Sequence, residues 1–340
     1  MRRICVLALL LSMALGLSGC GGGTTVRPVT ATDPPKSQSQ VAFFFDTVVT
    51  MDVYTDDETL LSDVKAECER YEALLSKTVE GSDVWNLNHA EGERIQVSPE
   101  TREILEKALE YSELSEGTFD VTVAPCVDLW DFSEGSLGLL PDEAALAQAA
   151  ERVGWEQIDM DEEGVRLPDG VTIDLGAIAK GYITDRIADF MRRRGVESGF
   201  LNFGGNVLVI GSKPDGTDWN IGIQDPKGAQ QQAIIGALPV RDQAVVTSGI
   251  YERGFDMDGV RYHHILDTAT GWPVQNELAG VSIIASNAFD ADTLSTTVFA
   301  MGVEKGTAFI EGLEGIEAIF VTREGEVTWT SGLEGRFKQA

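Results

Sequence analysis

Phe200-Leu201-Asn202-Phe203-Gly204-Gly205-Asn206-Val207-Leu208-Val209-Ile210 is an apolar run with β-branched and aromatic side chains, broken by two glycines. Such residues fit a pleated, half-buried surface, so the run reads as strand. The paired glycines mark a bulge, a point where a ligand approaches the backbone, or a plain turn, and the sequence leaves all three open. Downstream the theme repeats. Trp219 to Gln224, Ala233 to Val240, Ala244 to Ser248, Arg261 to Leu266 and Val281 to Ala285 are short apolar runs, and Ile316 to Thr322 and Val327 to Thr330 read as closing strands. Most are joined by short, turn-rich links. The expected fold is therefore α+β, with mixed or antiparallel sheets and helices packed on one face.

Working towards the N-terminus, Val171 to Leu175 also reads as a strand, and Phe43, Phe45 and Val48 to Tyr54 give another strand-like stretch from Val41 onwards. Between them lie helices. Leu60, Val64, Cys68, Tyr71 and Leu75 recur at three- and four-residue steps within Asp57 to Lys77. Ser98-Pro99 pairs a capping side chain with a proline suited to the first helical position. A third helix is expected from about Pro141 to Gly154, where glycine stops it. Further helices are expected over Ala177 to Arg194, Ala288 to Met301 and Lys305 to Leu313.

The chain has 340 residues and a formal net charge of -29, long enough for a proper core and acidic enough to repel phosphate backbones. Nucleic acid is excluded as a partner on that ground. Arg2 and Arg3 precede an apolar stretch from Ile4 to Leu17, followed by Leu17-Ser18-Gly19-Cys20. Charge, apolar run and Leu-Ser-Gly-Cys in that order resemble the lipobox of bacterial lipoproteins, which implies a signal peptide over residues 1–19 and a lipid on Cys20. Residues 20–40, rich in Gly, Thr, Pro, Ser and Gln, read as a flexible tether. One folded unit is expected from 41 to 335, at the extracytoplasmic face of the cell membrane and held there by lipid. Cys68 and Cys126 either pair there or stay buried and free.

Several residues could carry chemistry. Asp292 and Thr296 stand four apart in an expected helix, so both oxygens fall on one face and can share a small, oxygen-seeking cation; a cap and a back-bonded threonine are the structural alternative. In Val171-Thr172-Ile173-Asp174-Leu175-Gly176-Ala177-Ile178-Ala179-Lys180-Gly181, a strand ends on Asp174 and Lys180 lies in the first turns of the next helix. A phosphate there would meet a helix N-terminus and a point charge, unless the glycines serve only packing. His263 and His264 are adjacent, so on a strand they face opposite sides and at most one reaches a given site as a base. No zinc pattern, Walker-type loop, dinucleotide fingerprint or Gly-x-Ser-x-Gly elbow is present.

Taken in order, these segments resemble the ApbE family of lipid-anchored flavin transferases. The resemblance rests on Ile173 to Gly181, Asn202-Phe203-Gly204-Gly205, His264-Ile265-Leu266-Asp267 with Thr270-Gly271-Trp272-Pro273, Ala291 to Thr296, and Gly117 to Val123 with Leu129-Trp130. It implies an ApbE-like, T-fold-like single globular unit that uses Mg2+ to transfer FMN from FAD to a Thr or Ser hydroxyl of an acceptor protein, with AMP as the other product. The acceptor would be a redox-complex subunit or an extracytoplasmic flavoprotein. By the same resemblance, Thr118, Phe119, Asp120, Asp174, Lys180 and Leu266 contact FAD. Asp292 and Thr296 bind Mg2+ through side chains and Ala177 through its carbonyl, and His264 is the base. The alternatives are a Mg2+-dependent FAD pyrophosphatase and a non-catalytic FAD-binding lipoprotein.

Overall fold

The computed structural model describes residues 35–340 except 134 and 228–232. The expected signal peptide, Cys20 and the tether as far as residue 34 lie outside the described residues. In chain order the strands are β1 (Ser37–Phe44), β2 (Thr47–Tyr54), β3 (Asp159–Asp161), β4 (Gly164–Arg166), β5 (Gly199–Phe203), β6 (Asn206–Ile210), β7 (Trp219–Gln224), β8 (Ile234–Val240), β9 (Ala244–Gly249), β10 (Gly254–Met257), β11 (Val260–His263), β12 (Leu278–Ala285), β13 (Glu317–Thr322), β14 (Val327–Trp329) and β15 (Lys338–Gln339). The helices are α1 (Leu60–Leu75), α2 (Asp83–Asn88), α3 (Pro99–Leu114), α4 (Ala124–Val127), α5 (Glu143–Ala150), α6 (Ala179–Arg193) and α7 (Ala288–Glu311).

The main sheet runs β1-β2-β5-β6-β9-β12-β13-β14, and each neighbouring pair is antiparallel. Its central strands are buried on both faces. Leu208, Val246, Ile283 and Phe320 point into the larger core that also holds residues of α1, α6 and α7. Their neighbours Val209, Val245, Ile284 and Ile319 point the other way, onto Ile221, Leu238 and Phe337 beneath the small sheet β15-β8-β7. This explains why β12, with all eight residues buried, reads as a continuous apolar run and not as an alternation. The helices do share one face, as expected, and a second sheet covers the other.

The structure settles one open reading and corrects three expectations. Phe200 to Ile210 is a hairpin, the turn among the alternatives, with Phe203 paired to Asn206 across Gly204-Gly205. Both glycines take positive φ, 61° and 95°, the conformation a two-residue hairpin turn demands. Val171 to Leu175 joins no ladder. Asn88 holds it instead, accepting the Ile173 N–H at 2.8 Å and donating to the Ile173 carbonyl at 2.9 Å, so an amide side chain replaces a partner strand. Finally, Ser37 to Gln40, read as tether from their polarity, form the start of edge strand β1 and pair with β2. An edge strand is held by its backbone and needs no apolar side chains there. The expected strand Arg261 to Leu266 likewise ends at His263.

Helix limits follow the local signals. Ser98 and Asp142 cap α3 and α5 by accepting the N–H of Thr101 and Ala145. The two helices expected over Ala288 to Met301 and Lys305 to Leu313 are the halves of α7, which kinks at Gly302, φ 78°. Cys68 and Cys126 are free and buried, and burial pushes their thiols up to about 12 and about 11. No helix among the described residues is long and apolar enough to cross a membrane.

Asp185 on α6 accepts the N–H groups of Ala288 and Phe289 at 2.8 and 2.9 Å, so one carboxylate caps the start of α7. Burial outweighs those two hydrogen bonds and raises its pKa from 3.8 to about 6. Between those values the folded chain holds a proton that the unfolded chain has released, so stability present at low pH is lost as pH rises through the window. The wild type is expected to lose on the order of 2 kcal/mol more than Asp185→Asn across the window, because each tenfold change in proton affinity is worth about 1.4 kcal/mol. Urea unfolding at each pH measures this, and parallel profiles for the two proteins would refute it.

Candidate active site

Asp292, in the second turn of α7, meets the first turn of α6. The Gly181 N–H donates to Asp292 Oδ2 at 2.8 Å. Gly181 is the third residue of α6, so its N–H is one of those that a helix start leaves without an intrahelical partner, and the α7 carboxylate supplies one. Ala177 precedes the helix, and no backbone N–H among the described residues donates to its carbonyl. The contact requires glycine: a Cβ at 181 would stand 2.3 Å from the Ala288 carbonyl oxygen and 2.6 Å from Asp292 Cβ. Lys180 Nζ donates to the Gly176 carbonyl at 2.8 Å and lies 3.6 Å from Asp292 Oδ1.

Thr296 stands one turn beyond Asp292. Thr293 and Thr297 spend their hydroxyls on the carbonyls of Phe289 and Thr293, and Ser295 donates to the Asp292 carbonyl. Thr296 forms no such back-bond, so its oxygen is open. Asp292 is only 3% exposed. No group of three or more His, Cys, Asp or Glu among the described residues could hold a metal. Any cation here must therefore use what this corner offers, a carboxylate, a hydroxyl and a carbonyl just ahead of a helix. These are hard oxygen donors, too few to complete a shell without water or substrate, and they suit Mg2+.

The two histidines separate as strand alternation requires. His263 is fully buried, its Nε2–H donates to the Val274 carbonyl at 2.9 Å, and it meets Phe299 edge-on. It belongs to the core. His264 turns Nδ1 towards the Arg253 carbonyl at 3.4 Å, which can only accept, so Nδ1 carries the proton and Nε2 is free. Nε2 lies 4.0 Å from Glu252 Oε2, and both side chains keep 30% of their surface open. Burial drives the His264 imidazole down to about 3, with the positive charges of Arg253 and Lys180 pressing the same way. It is neutral at physiological pH. Burial likewise raises Glu252 to about 7, against the pull of Lys180 and with the push of Asp292. Lys180 thus sits electrostatically between the Asp292 corner and the histidine.

The remaining expected residues adjoin this centre through backbone. Thr268 donates to the Gly117 carbonyl at 2.7 Å, and Asp174 N–H to the Val121 carbonyl at 2.8 Å, so segments 117–123, 174–181 and 264–273 touch in turn. Asp174 accepts the Gly176 N–H at 2.7 Å and pairs with Lys77 at 2.9 Å, while Lys77 also holds Asp128 at 2.7 Å. Thr118 is half-buried. Phe119 and Asp120 are 3% and 6% exposed. The Asp120 carboxylate accepts from the Thr122 hydroxyl and from the Trp155 N–H at 2.8 Å. Leu266 is bridged to Pro273 and packs in the cluster with Trp130. Sequence reasoning missed Lys77, Asn88, Asp185 and Glu252. Each acts through a long-range contact that no local pattern signals.

Hard oxygen donors, an ammonium and a neutral imidazole around one centre are the equipment for displacement at phosphorus by a hydroxyl. The chain belongs to the ApbE family, whose model matches residues 45–320. A Klebsiella pneumoniae protein named FAD:protein FMN transferase is 37% identical over 293 residues, covering 85% of this chain and 90% of its own length. A Treponema pallidum protein of the same name is 31% identical over 364 residues, covering 99% and 97%. The crystal structure of the ApbE protein from Thermotoga maritima superposes with a TM-score of 0.82 at 32% identity, over 89% of this chain and 100% of that one.

The α6–α7 contact is testable. Alanine at 181 would add about 1 kcal/mol of helix propensity, which the overlap with a backbone oxygen must exceed. Gly181→Ala is therefore expected to lose about 2 kcal/mol or more in urea unfolding, because the obstacle is main chain and cannot rotate away. An unchanged midpoint would show that the helices are free to part.

Proposed function

We propose that the chain is a Mg2+-dependent FAD:protein FMN transferase that attaches FMN through a phosphoester bond to a Thr or Ser of an acceptor protein and releases AMP. The observation that carries the reading is the hydrogen bond from Gly181 to Asp292. It brings a buried carboxylate, one turn from an open hydroxyl, to the start of α6, just past the unengaged Ala177 carbonyl and beside Lys180. Membership of the family, and the name its relatives bear, support FAD as donor and a protein as acceptor.

In this reaction the acceptor oxygen bonds to the FMN-side phosphorus. The phosphorus–oxygen bond to AMP breaks, and AMP leaves with the electron pair. His264 Nε2 accepts the hydroxyl proton, since it is neutral and its other nitrogen is engaged. Lys180 faces the charge that grows on the AMP phosphate. Ala177, Asp292 and Thr296 would hold Mg2+, which when bound neutralises pyrophosphate oxygens. Thr118, Asp174 and Leu266 border the donor pocket, and Phe119 and Asp120 support its wall from behind. A lipid on Cys20 would hold the chain at the extracytoplasmic face of the cell membrane, near an extracytoplasmic or membrane acceptor; the Leu17-Ser18-Gly19-Cys20 motif supports that placement.

Incubating the folded domain with FAD, Mg2+ and an acceptor should add the mass of one FMN to the acceptor. AMP appearing equally fast without acceptor would instead identify water as the nucleophile, and FAD retained without turnover would identify a binding protein. His264→Ala should keep FAD bound and slow transfer by about 10²-fold or more. Asp292→Ala should lose Mg2+ binding by calorimetry, and full transfer activity in either variant would overturn its role. Membrane partitioning of the full chain should disappear in Cys20→Ser, and unchanged partitioning would exclude the anchor.

A further inference from the structure

We infer that Glu252 is the acidic partner of His264, a positioning residue that faces Nε2 and supplies the counter-charge when the imidazole takes the acceptor's proton. The inference rests on the transferase reading above and concerns the same site. Glu252 lies just past the end of β9, and His264 just past the end of β11. The two are joined by Arg253, whose carbonyl accepts both the backbone N–H of His264 at 3.3 Å and its Nδ1–H at 3.4 Å. That double contact fixes the ring so that its only open nitrogen looks along the Glu252 carboxylate at 4.0 Å. Among the described residues no other cationic side chain lies within that distance of the carboxylate.

The chemistry needs such a partner. A neutral imidazole, crowded by protein and flanked by Lys180 and Arg253, is a poor base, because burial and the two positive charges disfavour the cation it must become more than the Arg253 carbonyl favours it. A carboxylate facing the nitrogen that receives the proton reverses that penalty where the charge appears. The balance is complete without another reactant. The hydroxyl proton moves to Nε2, the oxygen–phosphorus bond forms, AMP departs with its electron pair, and the imidazolium rests against Glu252 until the proton passes to solvent or AMP.

The test is a double-mutant cycle on the full domain with FAD, Mg2+ and acceptor, in which Glu252→Gln keeps the shape of the side chain. Transfer kcat is expected to fall about 10²-fold, the scale of one proton-transfer partner, while the Kd for FAD and the KM for acceptor stay within about threefold. Glu252→Asp should restore part of the rate. In the His264→Ala background, Glu252→Gln should cost nothing further, because a residue acting through His264 has nothing to act on. Multiplying effects would overturn the inference, as would an unchanged kcat. A raised Mg2+ requirement would also overturn it, by assigning Glu252 to the Asp292 corner. A matching fall in the melting midpoint would reassign the residue to folding. A wild type that flavinylates no acceptor would refute the transferase reading itself, a different result from a wild type that transfers while Glu252→Gln keeps pace.

Discussion

The approach of α6 to α7 at Gly181 is the constraint on which the site depends. With no side chain at 181, the α6 backbone comes close enough for its N–H to reach a carboxylate on the neighbouring helix. One turn along α6, Asp185 returns the contact by capping the first N–H groups of α7. The helices are therefore clasped in both directions, amide to carboxylate and carboxylate to amide. Tyr182 packs edge-on against Phe289 between the two clasps. The geometry holds Asp292 against rotation and satisfies an N–H that the start of α6 leaves over, both permitted by one missing methyl group.

The sheet transmits that geometry to the other half of the site. Strand β9 is sandwiched between β6 and β12, and its side chains alternate between two cores, so a slip of one residue would exchange both sets. Its register is thus strongly specified. At its end Ser248 hydrogen bonds to Ser295 of α7 at 2.7 Å, tying the strand to the helix that carries Asp292 and Thr296. The chain then turns through Tyr251 and Glu252 into the β10–β11 hairpin, which delivers His264. Distances between the histidine and the cation corner are set by packed, double-sided structure, not by loop conformation alone. This kind of support is what a displacement reaction needs if reacting groups are to be held in place.

What the sequence revealed and concealed divides along local against long-range causes. The caps at Ser98 and Asp142, the apolar steps of α1 and the two halves of α7 are local and were legible. Strand alternation made it legible that the adjacent histidines would part, but which of them to assign as base came from the resemblance alone. The resemblance likewise singled out Asp292, Thr296 and Lys180, which the fold places at one corner. Val171 to Leu175 misled because its composition is that of a strand, while the partner that satisfies its backbone is the amide of Asn88, 85 positions away. What the sequence hid about Asp120 is that its carboxylate is engaged within the protein, by Thr122 and Trp155. Glu252 was invisible, as one acid among 55 acidic residues with no pattern around it.

The charge balance bears on how such an acidic chain would meet a pyrophosphate. Lys77 is already matched against two carboxylates, Asp128 and Asp174, so it contributes no surplus positive field to a ligand. Lys180 is partly offset by Asp292 at 3.6 Å and by the nearby carboxylate of Glu252. Neither His263 nor His264 helps, because burial keeps both rings neutral. A donor bearing a doubly negative pyrophosphate would therefore meet a site close to electrically neutral or slightly negative. In a partly desolvated cleft that mismatch is costly. A divalent cation held by Asp292, Thr296 and the Ala177 carbonyl would change the sign of the corner and release Lys180 to face the phosphate. On this argument a cation there would do more than polarise a leaving group, because it would also offset the negative charge that donor and site share.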